Sequence, residues 1–364
     1  MTDRSSKSTK TLLWLQSGGC GGCSLSLFGA EAPDLLSSFE AANIELLWHP
    51  SLSLETGQQV LDLIEAIRSG QQKLDILCLE GSVINGPDGT GAYHLMAGTG
   101  GKPMRDIISE LAIHASQVVA IGSCAAYGGI TAAGENEVEA TGLSFDGNKP
   151  GGLLGGDYRS DLELPVINIP GCPIHPDWVT ETLAHLSSDQ MKAQDLDAFG
   201  RPLSMAGSLV HHGCSRNEFY EYKASAERLA DLGCMMENLG CKGTQAAGDC
   251  NSRPWNGSGS CITGGYPCIA CTEPGFEEPG HSFAETPKIA GIPVGLPTDM
   301  PKAWFVALAS LSKAATPKRL SENATAERVI FTHNRVPVGE GSKPDKKPSS
   351  PAPLFGIARR KDRS

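Results

Sequence analysis

The chain has 364 residues, 40% of them hydrophobic, with 12 cysteines and a formal net charge of -11. At that length it can bury a sizeable core without covalent staples, so disulfide stapling does not explain the cysteines. The acidic balance argues against nucleic acid, whose phosphates demand a surplus of Lys and Arg.

Residues 1–10 are polar and charged, with neither an apolar signal core nor a twin-arginine signal. The expected compartment is therefore the cytoplasm, where thiols stay reduced, with peripheral attachment to a membrane as the alternative. No run approaches the roughly 18 apolar residues of a membrane span. Residues 11–16, 44–48, 74–79, 118–121 and 164–169 are short apolar runs closed by Gly, Pro or Ser, the pattern of strands buried on both faces. Between them Val60, Ile64 and Ile67, then Met104, Ile107, Ile108 and Leu111, recur at helical spacing. Strand and helix in alternation predict an α/β fold with a doubly wound parallel sheet, whose ligands sit beyond the carboxyl ends of the strands.

That rule accounts for the first cysteines. Cys20 and Cys23 follow the first strand in Ser17-Gly-Gly-Cys-Gly-Gly-Cys-Ser24, Cys124 follows the fourth in Gly122-Ser-Cys124, and Cys172 follows the fifth in Pro170-Gly-Cys-Pro173. A CxxC between strand and helix also suits a thioredoxin-like redox pair. A dithiol needs no further thiolates, however, whereas two more glycine-flanked cysteines complete a site for an iron-sulfur cluster. Glu80, at the end of the third strand, is expected near this set, either relaying a proton or tuning potential, or simply solvated. Cys78, inside that strand, reads as a small hydrophobe.

From about residue 200 the texture changes, and six cysteines fall between Cys234 and Cys271 amid frequent Gly and Pro. This predicts a smaller, mostly irregular and helical unit organised by metal as much as by apolar burial. Phe219, Tyr222, Ala226 and Leu229 predict a helix over residues 215–231 with Cys214 and Cys234 at its ends. A second ligand set opens with His211-His-Gly-Cys214 and continues with Cys234 and Cys241, His212 being the alternative to His211. An imidazole in place of a thiolate raises a cluster's potential. The third set is Cys250, Cys261, Cys268 and Cys271. Structural zinc is the alternative there, although zinc usually takes two tight pairs and only one end of this set is a CxxC. Residues 343–364 carry seven basic residues against Asp345 and Asp362, interleaved with prolines, and read as a disordered, solvated tail.

In combination, Cys20-Gly-Gly-Cys23, Gly122-Ser-Cys124, Pro170-Gly-Cys-Pro173, His211-x-x-Cys214, Leu239-Gly-Cys-Lys-Gly243 and Pro267-Cys-Ile-Ala-Cys-Thr-Glu-Pro274 resemble the small subunit of nickel-iron hydrogenases over residues 12–285. The resemblance implies a flavodoxin-like domain (11–199) holding a proximal 4Fe-4S cluster on Cys20, Cys23, Cys124 and Cys172. It further implies an iron-sulfur domain (200–290) with a medial cluster on Cys250, Cys261, Cys268 and Cys271 and a distal one on His211, Cys214, Cys234 and Cys241. A C-terminal extension (291–364) follows. Many relatives have proline at the position of Cys261 and a three-iron medial cluster; cysteine here implies a full 4Fe-4S centre. Oxygen-tolerant relatives add cysteines at the positions of Gly22 and Gly129, so an ordinary proximal cubane is expected. Departures lie at the distal site, where six residues separate Cys234 from Cys241 against five in the family and Thr244 replaces proline after Gly243. Leu25 stands where a glutamate often follows the CxxC-Ser.

The family's export signal and C-terminal anchor have no counterpart in this sequence, which with the stretch over residues 47–52 resembles an uptake-type enzyme of the high-affinity kind. The implied function is electron relay from a nickel-iron centre on a separate large subunit, with a dimer of heterodimers as the expected assembly. No catalytic residue is expected on this chain, and its sequence does not identify the electron acceptor. Two other readings are a complex I-like electron-transfer subunit, which carries a single cluster, and a zinc-stabilised binding module.

Overall fold

In a computed structural model, which describes residues 8–326 apart from 32, 99, 281 and 282, the apolar runs form one five-stranded sheet. Its strands are β1 (Lys10–Gln16), β2 (Ile44–Trp48), β3 (Leu74–Glu80), β4 (Ala115–Ile121) and β5 (Ile167–Ile169). All pair in parallel in the order β2-β1-β3-β4-β5, the flavodoxin-like winding, whose switch point lies between β1 and β3. Register aligns Gln16 with Glu80 and Glu80 with Ile121, so these three strands end level.

Side chains alternate between the two faces of a strand, so each face needs its own cover. Leu13, Leu15, Leu77 and Leu79 pack under α3 (Gln58–Arg68) and α4 (Met104–His114). Leu12, Trp14, Ile76 and Cys78 pack on the other face, under α1 (Gly22–Phe28), α2 (Leu35–Ala41) and α6 (Pro176–Ser187). Cys78 is fully buried among these side chains, where burial pushes its thiol well above the ordinary range. The one-turn helix α5 (Gly122–Tyr127) follows β4 directly.

Beyond residue 200 the described chain is mostly irregular, with short helices α7 (Leu203–Ala206) and α8 (Asn217–Glu221), then α9 (Lys302–Ala314) and α10 (Lys318–Ala324). A separate small core of Val210, Ala226, Met235, Leu239, Ala246 and Ile262 takes in Cys268 and packs against Cys214, Cys241 and Cys250. The helices α9 and α10 fold back onto it: Phe305 packs with Tyr220 and Met236, and Leu320 with Ala224 and Phe219.

The helix expected over residues 215–231 is corrected to the five residues of α8. Lys223 adopts a left-handed backbone (φ 54) just beyond it, and the chain then runs beside Cys234, with Ala226 N–H donating to Cys234 O and Cys234 N–H to Ala224 O. Two buried charges hold that loop. The Arg216 guanidinium donates at 2.7 Å to the carbonyls of Asp231 and Gly233, while the Asp231 carboxylate accepts from Glu227 N–H and Arg228 N–H. No described helix is long and apolar enough to cross a membrane. The tail over residues 343–364 lies outside the described residues.

Candidate metal centres

All 12 cysteines lie among the described residues, and none is paired in a disulfide. The first set forms where the sheet places it, at the carboxyl ends of β1, β4 and β5. Beyond β1 the chain crosses to the loop after β3: Ser17 N–H donates to Glu80 O (2.8 Å) and Gly18 exchanges bonds with Ser82. Cys20 sits in the loop between β1 and α1, and Cys23 in the first turn of α1. Cys124 lies on α5 and Cys172 just beyond β5. The four sulfurs share one neighbourhood, since Cys124 and Cys172 bear on Cys23, and Cys20 in turn bears on Cys124 and Cys172. Burial pushes the Cys23 thiol far up, opposed by an N–H from Ile174.

Two glycines make room. Gly122 (φ +83) lies where a Cβ would stand 2.5 Å from Cys23 Sγ, and Gly129 (φ +55) where one would stand 2.9 Å from Cys124 Sγ. Glu80 is buried rather than solvated, at 3% exposure. Its carboxylate accepts from Trp14 Nε1 (3.1 Å), Gln16 Nε2 (3.0 Å), Ser24 N–H (3.0 Å) and the Ser24 hydroxyl. His49 Nε2 lies 3.2 Å from the same hydroxyl.

The third set gathers likewise. Cys250 feels Cys271 and Cys261, and Cys268 feels Cys271 and Cys250. Burial raises Cys250 to about 12 and Cys271 to about 11. In the second set His211, Cys214, Cys234 and Cys241 line one small pocket, and burial raises Cys234 to about 12. Burial also holds the His211 ring below the ordinary imidazole range, so it is neutral and free to donate a lone pair. His212 points elsewhere, its Nε2 lying 3.0 Å from Asp299 Oδ2.

The three sets lie in series. The Ser123 hydroxyl, next to Cys124, donates to Cys271 O, and the Cys172 backbone amide lies against the Cys271 sulfur, which joins the first set to the third. The third meets the second through Cys268, whose carbonyl accepts from Lys242 N–H (2.8 Å) and whose backbone amide lies against the Cys241 sulfur. Sequence reasoning missed Ser24, His49 and Ser123, because a lone polar residue carries no spacing signal.

Thiols raised by burial ionise only against a positive centre, so each set fits a group bearing metal charge. Backbone donors aimed at sulfur, from Gly22 to Cys20, Arg216 to Cys214, Met236 to Cys234 and Ala270 to Cys268 at 3.3–3.5 Å, suit cluster thiolates. Among the described residues no three His, Cys, Asp or Glu side chains are placed to hold a single metal ion. Zinc usually takes two tight pairs, and in the third set only Cys268 and Cys271 form one, which suits a polynuclear core better.

Comparison with known proteins gives two family matches. The family described as "NADH ubiquinone oxidoreductase, 20 Kd subunit" matches residues 20–186, and the family of the C-terminal part of the NiFe/NiFeSe hydrogenase small subunit matches residues 207–284. The chain is 35% identical over 309 residues to the F420 non-reducing hydrogenase II small subunit of Methanosarcina mazei, covering 77% of each. It is 32% identical to the periplasmic [NiFeSe] hydrogenase small subunit of Desulfomicrobium baculatum, over 75% of this chain and 86% of that one. In structure it is similar to an actinobacterial-type NiFe-hydrogenase from Ralstonia eutropha H16, with TM-score 0.69 and 28% identity over 93% of this chain and 96% of the other.

Proposed function

The chain belongs to the small-subunit family of nickel-iron hydrogenases, and from that footing we propose that it relays electrons from dihydrogen through three 4Fe-4S clusters. The reading is supported above all by the serial contact of the three quartets, Cys172 against Cys271 and Cys268 against Cys241. When bound, such clusters exchange single electrons, and the chemistry of splitting dihydrogen belongs to the nickel-iron site of the large subunit.

The chain's own part is to position and insulate. Cys20, Cys23, Cys124 and Cys172 hold the entry cluster; Cys250, Cys261, Cys268 and Cys271 the middle one; His211, Cys214, Cys234 and Cys241 the exit. Residues 11–199 and 200–290 divide this labour, ahead of an extension over 291–364. Glu80 fixes the turn that carries Cys23 and stands close enough to bias its charge. Cys20 and Cys172 are exposed, with Leu25 and Ile130 exposed next to the set. This is the face on which a large subunit docks, over an obligate interface on the order of 2,000 Å² or more.

A dimer of such heterodimers, working in hydrogen uptake at high affinity, is the proposed assembly, and the cytoplasm its proposed compartment, with peripheral membrane attachment. The Desulfomicrobium relative is named as periplasmic, so cell fractionation tests that placement. The complex I-like reading rests on the match over residues 20–186 and leaves the second and third sets without a role.

The test is to purify the chain together with its large partner, measure iron and nickel, and follow dihydrogen-dependent dye reduction. Cys124→Ala abolishes that activity. His211→Cys slows electron exit while dihydrogen–deuterium exchange, which needs no exit, persists. Unchanged dye reduction in Cys124→Ala sinks the assignment.

A further inference from the structure

The 13 residues of α9 hold two charges, Lys302 and Lys313, and no carboxylate. A helix apolar all round belongs in a core, and Phe305 does turn inward, at 6% exposure, against Tyr220 and Met236. Trp304, Leu308 and Leu311, spaced four and three apart, share another face of the helix. They are 67%, 43% and 67% exposed. Of the chain's five tryptophans, Trp304 is the exposed one. Ile289 and Val294 are exposed as well. A large apolar surface left in water marks a docking site.

Charge selects what docks there. Residues 328–364 carry nine Lys or Arg against three Asp or Glu, a local +6 that leaves -17 for residues 1–327. That basic segment begins four residues after α10 ends at Ala324. An anionic surface attracts the end of the chain that follows α9 and α10 and repels the rest. Firm attachment to a bilayer takes two signals, an inserted apolar group and a basic patch, and this part of the chain supplies both. A second copy would cover the stripe and leave the basic residues unused, whereas an acidic soluble protein would do the reverse. At 1.5 Å per residue α9 is about 20 Å long, short of the roughly 30 Å of hydrocarbon in a bilayer. It can therefore lie along the surface but not cross it, and tryptophan favours that boundary layer.

We propose that α9 docks on an anionic lipid bilayer, with Trp304, Leu308 and Leu311 entering the acyl boundary and the basic residues of 328–364 held by the headgroups. The inference deepens the peripheral attachment proposed above by naming its surface and its class of lipid.

The test sediments the intact complex, with its large subunit, on vesicles of phosphatidylcholine alone and of equal parts phosphatidylcholine and phosphatidylglycerol. Binding to the mixed vesicles is expected to exceed binding to the neutral ones at least threefold. It should fall at least threefold when Trp304→Ser, Leu308→Ser and Leu311→Ser are combined, and as far when Arg359→Glu, Arg360→Glu and Lys361→Glu are. Tryptophan emission of the parent should shift to the blue on the mixed vesicles, and that of Trp304→Phe should not. Dihydrogen-dependent dye reduction should hold at the parent rate in every variant, showing a folded, loaded enzyme. No binding by the parent, or a smaller change in any one of these comparisons, overturns the proposal. So does a stripe variant that binds vesicles like the parent while the complex falls to half its mass, which assigns the face to a second copy. Absence of dye reduction in the parent complex overturns the relay reading instead, and the sedimentation result still decides the surface.

Discussion

At Gly122 the backbone has φ +83, and the space a β-carbon would need is taken by the Cys23 sulfur 2.5 Å away. Left-handed backbone alone costs an L-residue about 1–2 kcal/mol, and here the clash falls on a ligand of the proposed entry cluster. Gly122→Ala should therefore lose the entry cluster selectively, lowering iron per complex by about a third; iron analysis with a full complement in this variant would refute the crowding argument. Glu80 gives a second test at this scale. Its carboxylate takes four hydrogen bonds in a buried site, and an amide would turn an NH2 toward donors. Glu80→Gln should cost about 1–3 kcal/mol, the penalty for unsatisfied buried groups, seen as a lower denaturation midpoint of the complex. An unchanged midpoint would mean the carboxylate is not holding the Cys23 turn. The cysteines stood out in the sequence because thiols at fixed spacing announce their chemistry. Ser123 and Ser24 did not, since Ser123 meets Cys271 across 148 residues and Ser24 meets Glu80 across 56.

Strands and helices of the sheet were legible for a related reason: burial on both faces writes itself as unbroken apolar runs, and β1, β2 and β3 begin and end within a residue of the expected limits. The segment after Cys214 misled because its apolar residues are spaced like a helix but buried in different places. Ala226 enters the small core, Phe219 packs toward Leu320, and Tyr222 and Leu229 are partly exposed. Periodicity cannot tell one helical face from several separate burials. What shapes the loop instead is Arg216, with 2.7 Å bonds to the carbonyls of Asp231 and Gly233. Hydrogen bonds to a charged group contribute about 1.5–3 kcal/mol. Arg216→Met should thus speed amide exchange across residues 222–234 and deplete the exit cluster, while the entry cluster stays loaded. Exchange at parent rates would show that the loop is held by packing alone.

At the scale of the whole described unit, polar latches join the sheet to the cysteine-rich segment. Arg201 bonds Asp197 (2.7 Å) on one side and Glu273 (2.8 Å) on the other, and Trp178 Nε1 donates to Asp249 (2.6 Å). His175 lies in the same seam. It is fully buried between Trp178 and Trp255; its Nδ1 accepts the Asp177 N–H that opens α6 and its Nε2 meets Arg253 O at 2.9 Å. One ring nitrogen accepts and the other donates, so the ring is neutral, and burial holds it below the usual histidine range, as it does His49 and His94. The unfolded chain, with histidines near about 6.5, then binds more protons than the folded one as pH falls below that value. Stability from these residues is complete above about pH 6.5 and declines as pH drops through and below it. The denaturation midpoint of the complex should therefore fall between about pH 7 and 5. His175→Asn, which keeps a side-chain acceptor for the start of α6 and removes the titration, should show a shallower fall. A midpoint that is flat over this range, or a slope unaltered by the substitution, would mean that the seam tolerates a charged imidazole and that the two halves are held by the ion pairs instead.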